Sequence, residues 1–206
     1  MLSLERFTVG PLQENCYLLT DDDTKRAVLV DPGDEAPRLM RALEGLELQA
    51  IWLTHAHFDH VGALAELQKA YDVPTYLHPA DEPLLAHAAA SAARFGLRLR
   101  QPVVDYEPLA DAQVLQLGGR EARCLFTPGH APGHISFYWP EQGIVLAGDA
   151  LFQGSIGRTD LPGGDHAQLT ESIRTQLLTL PEETVVYPGH GPETSIGHEA
   201  KTNPFL

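Results

Sequence analysis

Apolar residues fall into two rhythms along this chain. Short apolar or alternating runs predict strands over 2–9, 15–20, 27–30, 50–54 and 75–77. Asp21-Asp22-Asp23-Thr24-Lys25 supplies a polar turn between the second and third. Leu39, Leu43 and Leu46 recur at helical spacing within 36–46, as do Leu64, Leu67 and Tyr71 within 62–71. Residues 79–100 are Ala-rich and helical in pattern, and 101–111 read as a loop with two prolines. Strands return at 113–117, 121–126, 135–139 and 143–147. A Gly-rich loop (151–164), a helix (166–180) and a last strand (184–187) follow. The order therefore runs twice through strands and then a helix. Two sheets packed face to face, with helices outside, would bury both sets. No linker or low-complexity segment divides the chain, so residues 1–206 are expected to form one domain.

Composition narrows the class. The chain is 43% hydrophobic and 20% charged, which argues for a folded core rather than disorder. A net charge of −14 opposes binding to nucleic acid, which calls for clustered Lys and Arg. No basic start followed by an apolar run suggests a signal peptide, and no apolar segment approaches a membrane span. The cytoplasm is the expected address, with no membrane partner. Cys16 and Cys124 are far apart and flanked by apolar residues, as buried free thiols are. The sequence carries no signal of oligomeric state.

The chemistry gathers where the predicted strand 50–54 gives way to a helix. There Thr54-His55-Ala56-His57-Phe58-Asp59-His60 places three histidines and an aspartate within six positions. Imidazole and carboxylate are ligands for zinc, iron and manganese. His55 and His57 share one side of extended backbone, which suits one ion, and Asp59 and His60 follow a turn toward a second. Three more apolar runs end alike: Thr127-Pro128-Gly129-His130, Gly148-Asp149 and Pro188-Gly189-His190. Each alone reads as an ordinary turn. Together they complete a set in which His55, His57 and His130 would hold one ion, and Asp59, His60 and His190 the other. Asp149 would bridge them, since a carboxylate has an oxygen for each. His134 is an alternative to His130. Asp31, after the strand 27–30, is a candidate to orient a ligand histidine.

These motifs, T-H-A-H-F-D-H, T-P-G-H, G-D and P-G-H-G, resemble the metallo-β-lactamase superfamily, and within it the glyoxalase II (hydroxyacylglutathione hydrolase) group. The stretch L-F-Q-G-S-I-G-R-T-D-L-P-G-G-D and the ending T-N-P-F-L look like its short, single-domain bacterial type. The resemblance spans nearly the whole chain. It implies an α/β fold, an αββα sandwich of two mixed sheets, with two divalent metal ions: usually zinc, with iron or manganese as alternatives. It assigns ligand roles to all seven positions and favours His130 over His134. Longer glyoxalase II enzymes add a C-terminal helical domain with basic residues for glutathione, which is not expected here. Where they carry a tyrosine two residues past the last histidine, this chain has Pro192. Arg158 stands where the family places a glutathione-binding lysine, and is the expected substrate contact.

The implied activity is hydrolysis of a small-molecule thioester, S-2-hydroxyacylglutathione (S-lactoylglutathione), to a 2-hydroxy acid and glutathione. A hydroxide shared by the metals would attack, with Asp59 and Asp149 as the acidic residues of the centre. No G-x-S-x-G offers a serine nucleophile. Two rivals use the same scaffold. A mononuclear iron persulfide dioxygenase would employ only His55, His130 and Asp149, and a lactone or ester hydrolase would use the same hydroxide. A β-lactamase and an RNA-processing nuclease fit less well, given the missing signal peptide and the acidic chain.

Overall fold

The computed structural model describes residues 1–206. The first half builds β1 (Leu2–Val9), β2 (Glu14–Asp21), β3 (Arg26–Val30), α1 (Ala36–Ala42), β4 (Glu47–Trp52), α2 (Leu64–Ala70), β5 (Thr75–Leu77), α3 (Glu82–Ala86), α4 (Ala88–Arg94) and β6 (Glu107–Pro108). The second builds β7 (Val114–Leu117), β8 (Arg120–Phe126), β9 (Ile135–Trp139), β10 (Ile144–Gly148), the short hairpin β11 (Leu151–Phe152) and β12 (Ser155–Ile156), α5 (His166–Ser172), β13 (Val185–Pro188), β14 (Thr194–Ser195) and α6 (Ile196–Thr202). Strands β1 to β6 lie in sequence order in one mixed sheet, antiparallel up to β3 and parallel beyond. The other mixed sheet runs β14-β13-β10-β9-β8-β7, with β10 and β13 its parallel pair.

Four layers follow from strand alternation. On β2, Tyr17 and Leu19 face the second sheet, while Cys16 and Leu18 face the helices on the outer side. Between the sheets, Trp52 packs on Phe137 and Trp139, with ring centroids 5.2 and 5.8 Å apart. Outside the first sheet, Leu39 of α1 and Leu64 and Leu67 of α2 are fully buried. Outside the second, Leu169 and Ile173 cover Val145 and Val186. The arrangement is the αββα sandwich that the resemblance implies. Both cysteines are buried and free. No helix is long and apolar enough to cross a membrane.

Several boundaries differ from the sequence reading. Helix α1 stops at Ala42 rather than 46, because a turn with Gly45 at φ +80° breaks the helical hydrogen bonding there. The 166–180 helix passes into a π turn at Ile173–Leu177. The Gly-rich loop contains a hairpin, with Gly154 at φ +66° in its turn, and the predicted loop 101–111 contains the short β6. Helix α6 was not anticipated. Ile196-Gly197-His198-Glu199-Ala200-Lys201-Thr202 has too few apolar positions to show a period, yet Ser195 caps it by accepting the His198 N–H.

Candidate metal centre

The sheets bring the loops after β4, β8, β10 and β13 to one edge of the sandwich, and seven side chains meet there. His55 Nε2 lies 3.2 Å from His130 Nε2, which lies 2.9 Å from His57 Nδ1. Asp59 Oδ2 lies 3.3 Å from His190 Nε2 and 4.0 Å from His60 Nε2. Asp149 spans the two groups. Its Oδ1 is 3.4 Å from His60 Nε2, and its Oδ2 is 3.4 Å from His130 Nε2 and 3.6 Å from His190 Nε2.

Hydrogen bonds orient the rings. Thr54 Oγ1 donates to Asp31 Oδ2 (2.6 Å) and so accepts the Nδ1–H of His55 at 3.0 Å, leaving His55 Nε2 with a free lone pair. His130 Nδ1–H donates to the carbonyl of Arg158 at 2.8 Å, and His60 Nδ1–H to Asp31 Oδ2 at 3.0 Å. Asp31 thus accepts from both Thr54 and His60. It does so from a left-handed backbone (φ 51°), a conformation that costs a non-glycine residue about 1 kcal/mol and persists only where surroundings enforce it. Here the enforcement is the bonds to Thr54 and His60. Asp31, His55 and His60 also sit close enough to form a ligand group of their own. The Asp31 oxygens are already taken by donors, however, and His60 presents to it the nitrogen that carries the proton.

The donor set fits cations. In a tetrahedral site with nitrogens about 2.0–2.1 Å from the ion, neighbouring nitrogens stand about 3.3 Å apart. The His55–His130 and His57–His130 spacings come close to that value. With their Nδ1 protons committed elsewhere, His55 Nε2 and His130 Nε2 face each other as lone pairs, which repel unless a cation lies between them. His60 Nε2 and Asp149 Oδ1 are buried and make no hydrogen bond, as two atoms held for a metal would be. Burial keeps His55 and His130 below the ordinary histidine value, and lowers His57 to about 3, so these rings stand neutral, the form that can bind a cation. Burial would raise Asp149, but His60, His130 and His190 outweigh it and hold its carboxylate ionised.

Glycine permits the crowding. A β-carbon at Gly189 would overlap Asp149 Oδ1 and His60 Cε1, and one at Gly148 would sit 2.6 Å from His134 Nε2 and from Thr54 Oγ1. His134 is not brought into either trio. Its Nδ1 pairs with Thr127 Oγ1 at 2.8 Å, and its Nε2 accepts the Asp149 N–H at 3.1 Å, so it fixes the backbone of Asp149. Arg158 lines the cleft above the cluster, but its guanidinium is exposed and engaged twice by Asp160, at 2.7 and 2.8 Å. Lys201 pairs with Glu182, and Asn203 docks on the carbonyl of Ser155. Sequence reasoning passed over Glu14. Its buried carboxyl lies 3.7 Å from His60 Nδ1, and burial pushes its pKa well up. The cleft is about 800 Å³, with Phe58, Phe95, Phe152, Ile156 and Leu161 among its walls.

Residues 9–190 match the family model described as "Metallo-beta-lactamase superfamily". The Bacillus subtilis protein "Probable metallo-hydrolase YqgX" is 44% identical over 205 residues, covering 98% of this chain and 96% of its own. The Haemophilus influenzae "Hydroxyacylglutathione hydrolase GloC" is 41% identical over 209 residues, covering 100% and 98%. Among solved structures, TTHA1623 in a di-iron-bound form is 50% identical with a TM-score of 0.90, covering 98% of this chain and 100% of its own. BLEG-1 B3 metallo-beta-lactamase is 42% identical with a TM-score of 0.92, covering 99% of each.

Proposed function

The chain belongs to the metallo-beta-lactamase superfamily, and from that footing we propose that it is a dinuclear metallohydrolase that cleaves thioesters of the S-2-hydroxyacylglutathione type. The supporting observation is the placement of Asp149, whose two oxygens face ligand nitrogens of both groups. His55, His57 and His130 would hold one divalent cation, Asp59, His60 and His190 the other, and Asp149 both. Such a pair supplies Lewis acidity and brings the pKa of a water toward neutrality. Zinc suits the nitrogen-rich set, and iron suits it too, as in the di-iron relative.

The chain's own groups do the rest. Asp59 faces the cleft and stays ionised, since His190 and His60 outweigh the effect of burial on it. Beside its part in holding a cation, this carboxylate can accept a hydrogen bond from water entering the cleft and orient it. Water adds its oxygen to the carbonyl carbon, the C–S bond breaks, and acid and thiol are released. A thiolate departs readily, so a strong general acid is not required. The aromatic and aliphatic walls leave room for a thioester far larger than lactate alone.

The same acyl-transfer geometry serves a cyclic amide, and the B3 metallo-beta-lactamase relative at 42% identity favours β-lactam hydrolysis as a second reading. The persulfide dioxygenase alternative leaves Asp59, His60 and His190 without a task. One set of measurements separates them: elemental analysis of the purified protein, then S-lactoylglutathione and β-lactam hydrolysis and oxygen uptake with glutathione persulfide. We expect two metal equivalents and chelator-sensitive release of glutathione. One iron per chain with oxygen uptake and no thioester cleavage would overturn this reading.

A further inference from the structure

One buried carboxylate near the cluster takes no part in the scheme above. Asp81 ends the 3-10 turn Pro79–Asp81 and is fully buried. Its Oδ2 accepts the N–H of Ala56 at 3.0 Å, and its Oδ1 accepts the N–H of Gly133 at 2.5 Å. Ala56 lies between His55 and His57 on the first sheet's loop. Gly133 lies between His130 and His134 on the second sheet's loop. No cation pairs with this carboxylate, and such an uncompensated buried charge is costly to keep. A β-carbon at Gly133 would stand 2.8 Å from both the Asp81 nitrogen and its Oδ1, so the approach requires glycine there. The loops share one other backbone hydrogen bond nearby, the Ile135 N–H to the Thr54 carbonyl at 2.8 Å, at the strand ends behind the histidines.

We propose that Asp81 is a positioning residue that staples the two histidine loops together and so sets the ligand spacing of His55, His57 and His130 before a metal arrives. The inference rests on the reading of that trio as a metal site. The carboxylate fixes the peptide between His55 and His57 from one side and the loop carrying His130 from the other. Without it, the gap between the loops is free to widen on the cleft side. The Asp59, His60 and His190 group has no contact with Asp81 and is spared.

Cobalt(II) tests this, because its visible spectrum reports ligand geometry apart from any turnover. Metal-free wild-type protein is titrated with cobalt beside Asp81→Asn and Asp81→Ala. Asparagine keeps the shape but presents an N–H to one of the two backbone donors. The expected result is wild-type protein binding two equivalents, and variants that fold but lose about tenfold or more in affinity at one site, with an altered spectrum and the other site unchanged. Folded variants with wild-type affinity at both sites and an unchanged spectrum would overturn the role of Asp81 alone. A wild type that binds no cobalt would overturn the metal reading beneath it. If neither variant folds, amide exchange in the metal-free wild type decides. Ala56 and Gly133 protected like the core strands supports the staple, and exchange at free-loop rates removes it.

Discussion

Gly189 is the residue whose replacement most directly tests the crowding of the cluster. A β-carbon there would overlap Asp149 Oδ1 and His60 Cε1, so a methyl group cannot fit without moving one of them. Overpacking of this kind typically costs about 1–3 kcal/mol. We expect Gly189→Ala to retain the fold, to lose at least one metal equivalent by elemental analysis and to lose most thioester turnover. Full metal content with normal turnover would show that Asp149 and His60 need not stand where they do. The metal-type residues were readable from the sequence, because their side chains announce their chemistry by type and spacing, whereas Pro188-Gly189-His190 alone read as an ordinary turn. Asp81 was not readable. An aspartate after His78-Pro79-Ala80 looks like an ordinary first-turn acid, and its two partners are backbone groups 25 and 52 residues away. Thr54 was hidden for the same reason, being a hydroxyl whose importance lies in the direction of its hydrogen bonds.

At the scale of elements, the strands were legible because a strand buried on both faces reads as a short, nearly continuous apolar run, as Cys16-Tyr17-Leu18-Leu19 does within β2, where all eight residues are buried. Helix α6 and the hairpin β11–β12 were not, since neither is long enough to show a period, and they hold each other. Glu199 of α6 is fully buried. Its Oε2 accepts the Gly154 N–H at 2.9 Å and the Asn203 amide at 2.8 Å, and its Oε1 accepts the Thr194 hydroxyl at 2.6 Å. The hairpin so fastened carries Phe152 and Ile156 into the cleft wall, with the Phe152 ring edge-on to His190, centroids 6.3 Å apart. Glu199→Ala would leave these donors without partners and loosen the wall without touching a metal ligand. The expected outcome is a KM for the thioester raised several-fold, two metals retained, and a fold less stable by about 1–3 kcal/mol. A lowered melting temperature with KM unchanged would mean that the helix serves stability only.

At the scale of the whole molecule, the cluster makes stability depend on pH and on metal together. In the metal-free fold, burial holds His55, His57, His130 and His134 below their ordinary value, so they stay neutral where the unfolded chain would take up protons. Below about pH 6.5 the unfolded state therefore binds more protons than the folded one, and stability falls with acidification, by up to about 1.4 kcal/mol per pH unit for each group. The loss continues toward about pH 3, where folded His57 itself takes a proton. His60 and His190 act oppositely. Burial alone would lower them, but the neighbouring carboxylates win and raise them, so the stability they lend is complete below about 6.5 and is lost as pH rises through their folded values. Glu14 and Asp81, raised by burial, favour the folded state at acid pH, with Asp81 titrating at about 6, but these two groups stand against four histidines. The metal-free protein should therefore be most stable near pH 6.5 and weaker at both 5 and 8. Cations bound as proposed would displace the protons of His60 and His190 and remove the alkaline decline, because ligands must be deprotonated to coordinate. Urea unfolding at pH 5, 6.5 and 8, with chelator and then with zinc, reads both effects. Equal or greater stability of the metal-free protein at pH 5 than at 6.5 would mean that the buried imidazoles do not stand neutral in the fold, and the neutral histidine set inferred from their burial would fall with it.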